Sequence, residues 1–212
     1  MDAPPELPAP PELPASPPLG ETLARASAGF GIRFLARFVD LIFGMMLGLI
    51  TGIAAGITLA VLAKLGKISP DWMANMRAHS FSFRGFGFGI LGAFLYYSFC
   101  EGICGTTIGK LCCGLRTVQT DGRPCTMAGA FKRDLLYHWD ALFFGLVGYN
   151  SMKESLTNQR YGDVWADTVV VKKDLYAPTP PHPGWRFPIG IMVGAMFWMA
   201  CQFTAVLIKA LD

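Results

Sequence analysis

Arg33, Arg37 and Asp40 stand at the head of Leu41–Ala63, twenty-three consecutive residues without a charge. These side chains could bind a cation, relay a proton or pair with one another, because a charge beside hydrocarbon is costly unless it meets water, protein or an opposite charge. Arg33, Arg37, Asp40, Gly44 and Gly48 step by four, three, four and four residues, which keeps them roughly on one helical face. Gly52 and Gly56 continue the four-residue spacing, so the charged entrance runs into small residues that let another helix approach closely. Two readings of Asp40 follow. It is either a permanently paired carboxylate, with Arg37 one turn away and a basic group elsewhere, or a cation or proton site in a hydrated cleft. The glycines read as helix packing under both.

Other groupings are weaker as chemistry. Gly105-Thr106-Thr107-Ile108-Gly109-Lys110 has three residues before Gly-Lys and then Leu111, whereas a phosphate-binding loop needs four and then Ser or Thr. It reads as a tight loop, with Lys110 reaching lipid phosphates or Asp163. Cys100 and Cys104 share a helix face, but the six cysteines lack paired C-x-x-C spacing or nearby histidines, so they read as packing thiols and not as a metal site. His138 and Asp140, two residues apart, point to different helix faces. No Ser/His/Asp or Cys/His order suggests a hydrolase. The chain is expected to be a non-enzyme without metal or cofactor. In Arg160-Tyr161-Gly162-Asp163, Gly162 permits a turn and Asp163 can cap a helical turn or accept an ion pair from Arg33 or Arg116.

The elements that must position these residues belong to a membrane protein. The chain has 52% apolar and 16% charged residues with mean hydropathy +0.39, against about 25% charged residues in ordinary soluble domains. Its net charge of +3 is spread thinly, which disfavours nucleic-acid binding. Leu41–Ala63, Gly85 to about Cys100 and Phe187–Leu211 read as three spans, since about 20 apolar residues suffice. Leu135–Tyr149 is short and holds His138 and Asp140; it could cross, lie in the interface, or dip in and return. Leu115–Gln119 and Thr168–Lys172 are short β-like runs, and pairing them requires both on one face. With the N-terminus cytoplasmic, a crossing at 135–149 divides the Lys and Arg nine to nine. Without it the division is thirteen to five, which satisfies the positive-inside rule. Residues 1–27, with eight prolines in the first twenty, are expected as a disordered tail, 28–173 as the membrane domain, 174–186 as a proline-rich linker and 187–212 as a last helix.

Arg33-x-x-Ala36-x-x-x-Asp40, Gly105–Lys110 with Gly114-Leu115-Arg116, Arg133, and Arg160–Asp163 with Thr168-Val169-Val170 together resemble the RDD family of membrane proteins, over about residues 28–173. The resemblance implies that Arg33, Asp40 and Asp163 are the signature residues, with Asp167 standing where a small residue is commoner. It also implies a polytopic all-α protein in a cytoplasmic (inner) membrane. The expected function is transport of a small ligand or cation, including cation/proton exchange. The alternative is a scaffold or assembly factor. Membrane lipids and a homo-oligomer or membrane-complex partner are the expected contacts. We expect Arg33, Asp40 and Asp163 to form one cluster, supported by Arg37, Lys110, Arg116, Arg133 and Arg160.

Overall fold

The computed structural model describes residues 17–69, 71–74, 83–137, 142–178 and 183–211. Three helices are long and apolar enough to cross a membrane: α2 (Phe30–Lys64), α3 (Phe83–Cys104) and α8 (Arg186–Leu211). The remaining named elements form a small head between the end of α3 and the start of α8, with the short α1 (Leu19–Ala26) before α2. In chain order the head comprises α4 (Ile108–Cys112), β1 (Leu115–Gln119), α5 (Met127–Leu135), α6 (Leu142–Glu154), α7 (Tyr161–Trp165) and β2 (Thr168–Lys172).

The two β-like runs pair antiparallel over their full length, with Thr117 opposite Val170. Valines supply one face of the pair. Val118, Val169 and Val171 close over Leu23 and Ala26 of α1. Within the tail expected over residues 1–27, Leu19–Ala26 is instead a helix that buries Leu23 and Ala26 against the strands. Residues 1–16 lie outside the described residues, as does part of the linker expected over 174–186.

Strand pairing also decides the doubtful segment. The chain leaves β1 and returns to β2 on the same side, so residues 120–167 make no net crossing. α5 descends beside α3: Met127 fits against Gly102, Phe131 meets Phe94 and Phe99 edge-on, and Ser98 donates to Asp134. α6 climbs back, bringing Tyr149 against Phe30 at the start of α2. At 1.5 Å per residue neither helix exceeds about 20 Å, so neither is long enough to cross by itself. His138 and Asp140 lie outside the described residues.

α3 and α8 run antiparallel, and their closest approaches are at glycines. Built Cβ atoms on Gly190 and Gly194 would fall 3.0 Å and 2.7 Å from the Cys104 and Cys100 sulfurs. Gly44 of α2 takes the edge of Trp198 in the same way, at 3.1 Å. The glycine face expected on α2 stops there. Gly48, Gly52 and Gly56 have open space where a Cβ would stand, and the buried stripe instead runs through Gly44, Thr51, Ala55 and Leu59. Each four-residue step overshoots the helical turn by about 40°, so the glycines spiral off the packed side.

Three helices of spanning length predict that the first and last described residues lie on opposite faces. A reporter fused before Met1 should report the same side as labels at Asp121 and Leu175, and one fused after Asp212 the other side. Labels at 121 and 175 on different faces would refute the arrangement.

Candidate functional site

Asp40 occupies a pocket closed by the loop after α3. Thr107 Oγ donates to Asp40 Oδ2 at 2.7 Å, Gly109 N–H to Oδ1 at 2.7 Å, and the Tyr96 hydroxyl to Oδ1 at 3.3 Å. Thr107 simultaneously accepts from Lys110 N–H and so caps α4. Position 109 requires glycine for space: a Cβ there would lie 1.9 Å from the Ala36 carbonyl oxygen. Capping turns Lys110 inward. It does not reach lipid phosphates or Asp163, as expected from sequence, but ion-pairs with Glu101 near the end of α3.

Glu101 begins an alternating chain of charge. Its other oxygen takes Arg133 Nη1 at 3.0 Å, and Arg133 Nε lies 3.4 Å from Asp163 Oδ1. Asp163 Oδ2 takes Arg33 Nη1 at 2.7 Å, with Arg160 Nε at 3.7 Å. Thr117 Oγ sits at the junction, accepting from Lys110 and Arg133 and donating to Glu101. One hydroxyl thereby uses its full donor and acceptor capacity. Local folding explains the geometry. Asp163 lies in the first turn of α7 and accepts from Arg160 N–H, so one residue both caps the helix and faces the arginines. Arg33 Nε is held by the Ala28 carbonyl.

Of the three signature residues, Arg33 and Asp163 pair directly, but Asp40 lies in its own pocket. The expected single cluster is therefore corrected to two sites bridged by Lys110, whose N–H caps on Thr107 and whose ammonium meets Glu101. Arg37 is not the partner of Asp40. It lies between the Tyr97 and Tyr137 rings, at 3.6 and 4.0 Å, and reaches Asp134 at 3.4 Å. Arg116 forms no ion pair with Asp163, because its strand position turns it to the face away from Thr117. Asp167 adds no contact to Asp163. It is exposed at φ 51°, a left-handed turn residue before β2. Sequence reasoning missed Glu101, Thr117, Asp134, Thr107 and Tyr96. An acid inside an apolar helix is the signal that marks Glu101.

Beyond the geometry, the family model for the RDD family matches residues 27–167. The chain belongs to the RDD family. No curated protein and no solved structure matches it. The matched stretch of this RDD protein contains every charge in both sites, from Arg33 to Asp163, and excludes α8.

Electrostatics outside the spanning helices follow the geometry. Burial alone would raise the Asp163 carboxyl, but Arg133, Arg160 and Arg33 together hold it far below the ordinary range. Burial, then Arg133, push the Lys110 ammonium down to about 8 against the pull of Glu101. For Asp163 the sign is that of a depressed acid. Its stabilisation is full above the unfolded value of about 3.9 and is lost as pH falls toward the folded one. Thermal unfolding of the solubilised wild type between pH 5 and 3 should show a steeper loss of stability than in Asp163→Asn. Parallel profiles would count against this assignment.

Proposed function

We propose that this RDD protein is a non-enzymatic membrane scaffold, its signature charges acting as fasteners between the head and the membrane helices. The observation that carries the reading is the state of Asp40. Three protein donors occupy most of the roughly four acceptor positions of its carboxylate. Glu101 and Asp163 are likewise engaged by cations of this chain. A scaffold needs such residues permanently paired, whereas a transporter needs them to exchange partners with water or an ion. The outward side of α2, with Gly48, Gly52 and Gly56, leaves room for lipid, a second copy or another membrane helix.

The reading is tested by Na⁺ and H⁺ flux in proteoliposomes of oriented, folded protein. Wild type and Asp40→Asn should both show only the leak of protein-free vesicles. Wild-type flux lost in Asp40→Asn would overturn the scaffold reading in favour of cation/proton exchange. One observation supports that second reading: the α5–α6 pair brings Asp134 to Arg37, whose Nη1 has no acceptor among the described residues.

The charge distribution supports a cytoplasmic membrane with the head and N-terminus in the cytoplasm. Thirteen of the eighteen Lys and Arg fall on the head side in sequence.

A further inference from the structure

Arg116 and Lys173 are left over by both sites. Arg116 stands opposite Val171 on the strand pair, and Lys173 N–H donates to the Gly114 carbonyl at 2.8 Å just beyond the end of β2. Lys173 is two residues past Val171, so it is the diagonal neighbour of Arg116 on the same face. Both side chains are half-buried, and Arg116 Nε is shielded from solvent without an acceptor. Burial and then Arg116 lower the Lys173 ammonium, in keeping with two cations on one face. Among the described residues neither forms an ion pair with a carboxylate. This contrasts with Arg33, Arg37, Lys110, Arg133 and Arg160, each of which has one.

Their place in the fold narrows the ligand. Thr117 N–H donates to the Gly105 carbonyl at 2.7 Å and Thr106 Oγ to the Leu115 carbonyl at 3.1 Å, which sets Arg116 beside the end of α3, where the Cys104 sulfur packs against Gly190, one turn into α8. That is the head-side edge of the spans. Arg186 opens α8 there, with its guanidinium 5.7 Å from the exposed Trp185 ring. Indoles and cations of this kind occupy the headgroup level of a bilayer. We propose that Arg116 and Lys173 form a binding site for a phosphate group. The planar guanidinium offers paired N–H donors to two phosphate oxygens, and the ammonium supplies a point charge beside them. The source is either an anionic lipid headgroup or free phosphate.

The test uses the full chain, delipidated in neutral detergent, with three titrants: phosphatidylcholine, phosphatidylglycerol and inorganic phosphate. Native mass spectrometry follows lipid binding and thermal unfolding follows phosphate. A lipid site predicts that wild type holds phosphatidylglycerol about 10- to 30-fold more tightly than phosphatidylcholine, and that Arg116→Gln/Lys173→Gln removes the preference. A free-phosphate site predicts a saturable rise in melting temperature with inorganic phosphate, lost in the same variant. Lys173→Gln alone, beyond the strand end, should weaken either effect several-fold and serves if the double variant fails to fold. Lys132→Gln/Lys153→Gln removes two cations elsewhere and should change neither. The proposal is overturned if phosphatidylglycerol shows no preference and phosphate no effect. It is also overturned if Lys173→Gln binds like wild type, or if the control pair loses binding equally.

Discussion

Asp163→Asn should lower the stability of the solubilised protein by roughly 3–5 kcal/mol, the usual cost of removing one partner from a buried ion pair. The effect is large because one carboxylate faces three guanidinium groups, those of Arg33, Arg133 and Arg160, in a site closed to solvent. Asparagine keeps the size and the helix-capping oxygen, so the loss reports charge. Reversing both members, Arg33→Asp with Asp163→Arg, should not restore stability. The new arginine would face Arg133 and Arg160, while the carboxylate moved to position 33 would no longer stand between those two guanidinium groups. Arg160→Gln should cost much less, since its Nε lies 3.7 Å from Asp163 at the edge of the site. Thermal and denaturant unfolding of the three variants checks the order. A fully rescued double reversal would mean that Arg33 and Asp163 form an isolated pair.

Gly109→Ala should prevent the native head from docking, with a larger effect than Asp40→Asn. A methyl at 109 would enter the Ala36 carbonyl oxygen at 1.9 Å and crowd the Asp40 carboxyl carbon at 2.8 Å. Both obstacles belong to the backbone or a short, fixed side chain of α2, so neither can yield without moving the loop. The Thr107 and Gly109 hydrogen bonds to Asp40 would then be lost together. Gly48→Ala and Gly52→Ala meet open space and should leave folding unchanged in monomeric protein. Size-exclusion profiles and protease resistance of Gly109→Ala and Gly48→Ala compare the two sides of α2. Equal tolerance at 109 and 48 would mean that the loop does not rest on α2.

The membrane helices were legible because an uncharged run of about twenty residues has few alternatives, and both strands because β-branched runs end at turn residues. Arg33 and Asp163 were legible as partners, since buried charges of opposite sign must meet. Asp40 was misassigned for a physical reason. Its donors are a hydroxyl and a backbone N–H in a loop of small residues, and neither carries a charge pattern that sequence displays. Glu101 falls just past the span read as ending at about Cys100, but the helix continues to Cys104 and places it against two cations. The α2 glycines misled because a repeat of four drifts around a helix of 3.6 residues per turn.

The order in which the chain is made gives the Arg33–Asp163 pair a further meaning. Asp163 follows Arg33 by 130 residues. During synthesis, Arg33, Lys110 and Arg133 all emerge with only Glu101 of the two shared carboxylates in place. The strand that covers α1 comes later still, at Thr168–Lys172. Until Asp163 is made, α2 carries Arg33 without its acid, and Glu101 of α3 is the one shared carboxylate facing Lys110 and Arg133. A chain cut short before Asp163 keeps that imbalance, so the charge network of the head closes only when its last-made carboxylate is present.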